Sequence, residues 1–236
     1  MVNPIKIWNR AVPNMVGTVS CLVRWRNQYA VLGVAHVLTP TCLGTSPSAR
    51  PIVECGVSPV SEIGVIGNWN LAVSNNGMPR DSSTDAAVAT IDSDTAAKLV
   101  RQQDFLPSGI RRTPLTADEP LFFTGAASGT SHTTVLHDAN AQAPFGYFVY
   151  ELGKVRPART VNVMLHGLIQ TDRRNAVRGD SGSLLRDERG QAIGILVGMD
   201  RDETYCYFSP LGPILGDFAA ELVTQDDPLS KQMRVA

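Results

Sequence analysis

The sequence predicts an all-β fold in two halves. Three observations carry the prediction: short runs of branched and aromatic residues recur between polar breaks, one central stretch lacks strand alternation, and helical spacing is confined to short segments. With 236 residues the chain has the length to bury a sizeable core, as one large domain or two small ones. Hydrophobic residues make up 43% and charged residues 18%, which marks a globular chain, and a formal net charge of -1 removes any global pull toward nucleic acid or anionic membranes. Partners must be read from sites.

Residues 17–25 and 29–34, rich in branched and aromatic side chains around a polar break at Arg26-Asn27-Gln28, predict a hairpin. Its second strand runs into Ala35-His36-Val37-Leu38. Residues 39–52, rich in Pro, Ser, Thr and Gly, read as a surface loop, with strand-like pieces at 52–57 and 63–73 and a turn signal at Asn75-Asn76-Gly77. An alternating strand opens at Asp85. Ser93-Asp94-Thr95 supplies the start of a short helix, and 93–119, punctuated by Pro107, Gly109 and Pro114, reads as a linker. The second half begins with an apolar strand and a Gly-rich turn, 120–130. Strands at 145–152, 160–169, 183–186, 192–198 and 204–209 follow at the spacing of an all-β barrel. Residues 214–223 carry helical spacing. The expected units are 1–92, the linker 93–119, and 120–236.

Chemistry concentrates at Gly179-Asp180-Ser181-Gly182, a serine between glycines, followed at short range by the apolar run 192–198. A serine hydroxyl is a poor nucleophile until an imidazole takes its proton and a carboxylate orients that imidazole. Both partners stand upstream. His36 ends a strand in an Ala-His step, and Asp85 opens one as Asp-Ala-Ala-Val. Asp81 competes for the second role but has no strand behind it. A G-x-S-x-G elbow is missed, because Ser183 occupies the place of its last glycine.

These motifs, in the order His, Asp, Ser, resemble the chymotrypsin-like (trypsin-like, S1-type) serine proteases, closest to bacterial trypsin-like peptidases that lack a zymogen N-terminus. The resemblance implies two six-stranded antiparallel β-barrels, with the active site in the cleft between them and a C-terminal helix. It implies a cofactor-free serine endopeptidase: Ser181 attacks the scissile carbonyl, His36 carries the proton, and Asp85 orients His36. The backbone amides of Gly179 and Ser181 become the oxyanion hole, and the substrate is lined by Asn175, Arg178, Val197, Gly198 and Met199. Activity should rise with pH through about 6–7.5, as for any imidazole base. An Ile-Val-Gly-Gly-like start is absent, and Phe122-Phe123 stands where several bacterial relatives carry an arginine. Asp180 must therefore be balanced by Arg173, by Arg174 or by local backbone amides.

Several classes are disfavoured. Cys21, Cys42, Cys55 and Cys206 show no zinc spacing and read as reduced thiols, although Cys42 and Cys55 could close a loop in an oxidising compartment. His132, His137 and His166 have no second ligand at useful spacing, so no metal site is expected. The first ten residues lack the apolar core of about 7–15 residues that a secretory signal needs, so the chain is expected in the cytoplasm. The expected partner is a protein or peptide substrate, with neither nucleic acid nor membrane. Two further readings stand beside this one: a dedicated processing protease for one partner protein, and a protease-fold module that binds a peptide or protein with little turnover.

Overall fold

Alternating branched residues become strands along most of the chain. The computed structural model describes residues 4–41, 52–55, 61–71, 80–82, 84–101, 106–129, 131–151, 154, 156–172, 176–228 and 231. The first half contains β1 (Lys6–Asn9), β2 (Val16–Thr18), β3 (Cys21–Trp25), β4 (Gln28–Gly33), the single turn α1 (Ala35–Leu38), β5 (Ile52–Cys55), β6 (Ser61–Asn70), β7 (Arg80–Ser82) and β8 (Ala86–Thr90). Then come α2 (Ser93–Val100), β9 (Gly109–Ile110), β10 (Pro120–Thr124), β11 (Ser131–Tyr150), β12 (Pro157–Asp172), β13 (Leu184–Arg186), β14 (Gln191–Met199), β15 (Tyr205–Pro210), α3 (Leu211–Phe218) and β16 (Ala220–Leu222).

The hairpin turn is tighter than the polar break suggests. Trp25 pairs with Gln28, which leaves Arg26 and Asn27 in a two-residue loop at φ of 50° and 62°. Two successive left-handed residues match the twist of the flanking strands. At α2 the cap is Asp92, one residue before the expected start; its carboxylate accepts from Thr95 N at 2.6 Å.

The strands form two sheets. The first runs β16-β3-β4-β8-β6-β5-β1-β2, antiparallel throughout. The second runs β11-β10-β13-β14-β15-β12, and β12 pairs back onto β11, so six strands form a hydrogen-bonded ring. β7 and β9 add to this ring as short parallel strands on β12 and β14. The fold is mostly β with few helices. Among the described residues the ladders of the first sheet do not close, and the inner edge of β2 is occupied by the serine loop instead, with Thr18 N donating to Ser181 O at 2.7 Å.

Two expectations are corrected. Helix over 214–223 stops at Phe218, where Ala219 turns left-handed at φ 50°; residues 220–222 then pair with β3, Ala220 against Trp25 and Leu222 against Val23. β11 and β12 also reach far beyond 145–152 and 160–169, to 20 and 16 residues. The extra length carries polar residues and register shifts near Asp138, because that end of the ribbon is largely exposed and needs no apolar face. From Ala141 to Val149 burial alternates strictly, with Phe145, Tyr147 and Val149 inward. One core cluster joins Leu22, Leu32 and Ile66 to Val163, Leu165 and Ile195, so apolar packing is continuous between the sheets. A smaller cluster around Phe123 and Phe208 lies in the second.

Candidate active site

β4 delivers His36 into α1, whose one turn is pinned at both ends. Thr39 Oγ1 donates to Ala35 O at 2.7 Å, and Asn9 Nδ2 donates to Leu38 O at 2.7 Å. β8 begins immediately after Asp85, which is fully buried. The carboxylate grips the histidine twice: Oδ1 accepts from the His36 backbone N at 3.0 Å, and Oδ2 lies 2.5 Å from His36 Nδ1. An ionised carboxylate only accepts, so Nδ1 carries the proton and the lone pair is left on Nε2. Asp81, the competing carboxylate, instead lies exposed on β7, 3.4 Å from His166 Nε2.

The loop before β13 presents Ser181. Gly179 and Gly182 adopt φ of 102° and 96°, and a Cβ on Gly182 would lie 2.1 Å from Thr18 O, so only glycine fits there. Thr18, buried on β2, holds the loop from the first sheet: its Oγ1 donates to Gly179 O at 3.2 Å and accepts from Ala126 N at 3.0 Å. Ser183 Oγ donates to Asp180 O at 2.6 Å. Among the described residues neither Gly179 N nor Ser181 N meets an acceptor, leaving two free donors beside the serine. Ser181 Oγ itself donates to Val197 O at 3.4 Å.

Asp180 is fully buried, and three amides surround it. Oδ1 accepts from Ala127 N and Ser128 N, both at 3.0 Å, and Oδ2 accepts from Val177 N at 3.0 Å. Of the alternatives left open by the sequence, local backbone amides are what the structure brings to Asp180; Arg173 and Arg174 lie outside the described residues. Gly125 makes the cradle possible, since a Cβ there would come within 2.0 Å of Asp180 Cγ. The Gly-rich turn was visible in the sequence, but not that its amides would face an aspartate more than fifty residues away.

His36 and Ser181 line one pocket of about 650 Å³, together with Gly179, Arg178, Val197, Gly198 and Met199. Asn175 lies outside the described residues. Val197 sits at a register shift in β14, and beyond it Gly198 and Met199 pair, among the described residues, with β15 alone, which leaves the other edge of the strand open there. Asp200, also at the rim, has its Oδ1 engaged by Thr204 N at 2.7 Å and Tyr205 N at 3.2 Å. Tyr147 is the neighbour that the sequence did not signal: it is buried and stacks on His36 with ring centroids 5.0 Å apart.

The remaining histidines have other partners. His132 Nε2 lies 2.8 Å from Ser128 Oγ, and His137 Nε2 lies 2.7 Å from Asp172 Oδ1. No group of three or more metal-capable side chains occurs among the described residues. Cys21 and Cys206 are buried free thiols, and burial raises the Cys21 thiol to about 12. For the Cys42–Cys55 bridge, Cys42 lies outside the described residues. No helix among them is long and apolar enough to cross a membrane.

No protein-family model matches the sequence, and no curated protein is similar to it. Solved structures are similar in fold. Thermobifida fusca Protease A is 19% identical, with 94% of this chain and 96% of that one aligned at a TM-score of 0.57. Cellulomonas bogoriensis chymotrypsin is 17% identical over the same shares, also at 0.57. The Nocardiopsis protease is 15% identical, with 94% and 98% aligned at 0.59. Over most of its length, the chain therefore carries the fold of the bacterial chymotrypsin-like serine proteases.

Proposed function

We propose that the protein is a serine endopeptidase whose two sheets act as two barrels, His36 and Asp85 on residues 1–92, Ser181 on residues 120–236, and the cleft between them as the active site. The observation that carries the reading is the double grip of Asp85 on His36, in a pocket that also holds Ser181 and two unpaired amides. In the reaction, Ser181 Oγ turns from Val197 O toward His36 Nε2 and gives up its proton there as it bonds to the scissile carbonyl carbon. The carbonyl oxygen gains negative charge between Gly179 N and Ser181 N. His36 passes the proton to the leaving amine as the C–N bond breaks, and water then releases the acyl group by the same route in reverse.

The substrate is a peptide or protein. The open edge of β14 at Gly198 and Met199 suits an extended segment adding as a strand, with Val197 and Arg178 beside it. Asn175 is proposed at the specificity pocket on its sequence position alone. A dedicated processing protease fits the same chemistry.

The competing reading is a protease-fold module that binds a peptide or protein with little turnover. The 3.4 Å bond from Ser181 Oγ to Val197 O favours it, because a hydroxyl has one proton and the proton donated there is not donated to His36. A fluorophosphonate probe separates the two. Labelling of the wild type that is lost in Ser181→Ala and His36→Ala supports the endopeptidase; no labelling at pH 8–9 (roughly, well above the ordinary imidazole value, where such a base is neutral) supports the binding module.

A further inference from the structure

Tyr147 is a buried titratable group that the triad chemistry leaves unused. It lies on the inward face of β11 between Phe145 and Val149. Its ring stacks on the His36 imidazole at an interplanar angle of 20°, and stacks in turn on Phe145 at 11°. The phenol oxygen is buried and completes no bond by strict geometry, yet it lies near enough to the Asp85 carboxylate for that group to act on it both as a charge and as an acceptor. The charged group beside it is Asp85. Burial first, then the negative charge of Asp85, and last the acceptance of the phenol proton by that carboxylate, raise the phenol well above its ordinary value, so the hydroxyl keeps its proton and remains a donor. Asp85 has acceptor capacity left, since each oxygen takes one bond from His36.

The ribbon that carries Tyr147 is tied to both members of the pair. Just past α1, Pro40 O accepts from Tyr150 N at 2.9 Å. On the other side β12 runs parallel to β7, Leu165 opposite Ser82, and Ser82 Oγ donates to Thr84 O at 3.0 Å, one residue before Asp85. The second sheet thus reaches back to brace a histidine and an aspartate that both belong to the first half.

We propose that Tyr147 is a positioning residue of the His36–Asp85 pair: its ring fixes the plane of the imidazole, and its hydroxyl supplies the Asp85 carboxylate with a third donor. This rests on the triad reading above. A third donor disperses the charge on Asp85 and so keeps the shared proton on Nδ1 while limiting how strongly the carboxylate holds an imidazolium. Asp85 and Tyr147 lie against His36, with Ser181, Arg178, Asp200, Arg201 and Glu203 lining the same pocket.

Tyr147→Phe and Tyr147→Leu in the full chain test this, with kcat, KM and the pH–rate profile measured on an activated ester. Tyr147→Phe is expected to lower kcat about tenfold with KM unchanged, the size of one lost hydrogen bond to a charged group. The acidic limb should move to higher pH, because the carboxylate freed of its donor holds the imidazole proton more tightly. Tyr147→Leu also removes the stack and should lose more. The low-field proton resonance of His36 Nδ1–H is followed in the wild type, in Ser181→Ala, and in Ser181→Ala with Tyr147→Phe; the step from the single to the double variant, where the Tyr147 hydroxyl is lost, should shift it. A Tyr147→Phe protein that melts with the wild type and leaves kcat, limb and resonance unmoved overturns the proposal. A wild type that takes no fluorophosphonate sinks the protease reading instead, and the resonance still decides for or against Tyr147.

Discussion

Ser181 depends on neighbours chosen for shape more than for chemistry. Gly125 is the sharpest case, because a methyl there meets the Asp180 carboxylate held by three amides. Gly125→Ala is expected to cost about 1–3 kcal/mol of stability, as overpacking does, and to lower the rate of fluorophosphonate labelling; urea unfolding and a labelling time course read both. Cys21 gives a second residue-scale expectation. With its thiol raised by burial to about 12, it should resist iodoacetamide in the native protein at pH 8 (roughly, where an ordinary thiol near 8.5 begins to react) and react once the chain is unfolded. His36, Asp85 and Ser181 were legible because each is a short motif with a chemical demand on the others. Thr18 and Tyr147 were not: a threonine in a strand and a tyrosine in a ribbon look alike whether they face solvent, core or the His36–Asp85 pair.

Elements were read best where local chemistry alone decides them. The β3–β4 hairpin, α2 and the strand β14 follow from turn residues, a cap and a buried apolar run. α2 also carries a pH prediction. Asp92 accepts from the backbone of Thr95, and that bond holds its carboxyl below the usual range. A lowered value in the folded chain stabilises above the unfolded value and fades as pH falls through the folded one. Asp92→Ala should therefore cost about 1 kcal/mol near neutral pH, and the difference from wild type should shrink at pH 3 (roughly, below the ordinary Asp value of 3.9) in denaturant titrations. The elements that escaped the sequence are those fixed by distant partners. β16 continues helical spacing yet becomes a strand because the edge of β3 needs one, and the polar half of β11 stays extended because β10 and β12 flank it.

At the scale of the molecule, each half completes the other. β7 leaves the first half to pair with β12, β16 returns from the C-terminal end to β3, and Thr18 stitches the serine loop to β2. A change of pattern near 93–119 was visible in the sequence, but these exchanges were not, since nothing in a strand's own residues names a distant partner. Asp180 is held by amides of the same chain, so the serine loop is expected to need no newly cut N-terminal amine to order it. Acetylating the N-terminus should leave labelling by the probe unchanged. The central claim is an acyl-enzyme on Ser181. Acid quenching of the protein during turnover of an activated ester, followed by mass spectrometry of its peptides, tests that claim most directly. The acyl group is predicted on the peptide carrying Ser181 and is absent in Ser181→Ala; an acyl group elsewhere, or none at any time of quenching, would contradict it.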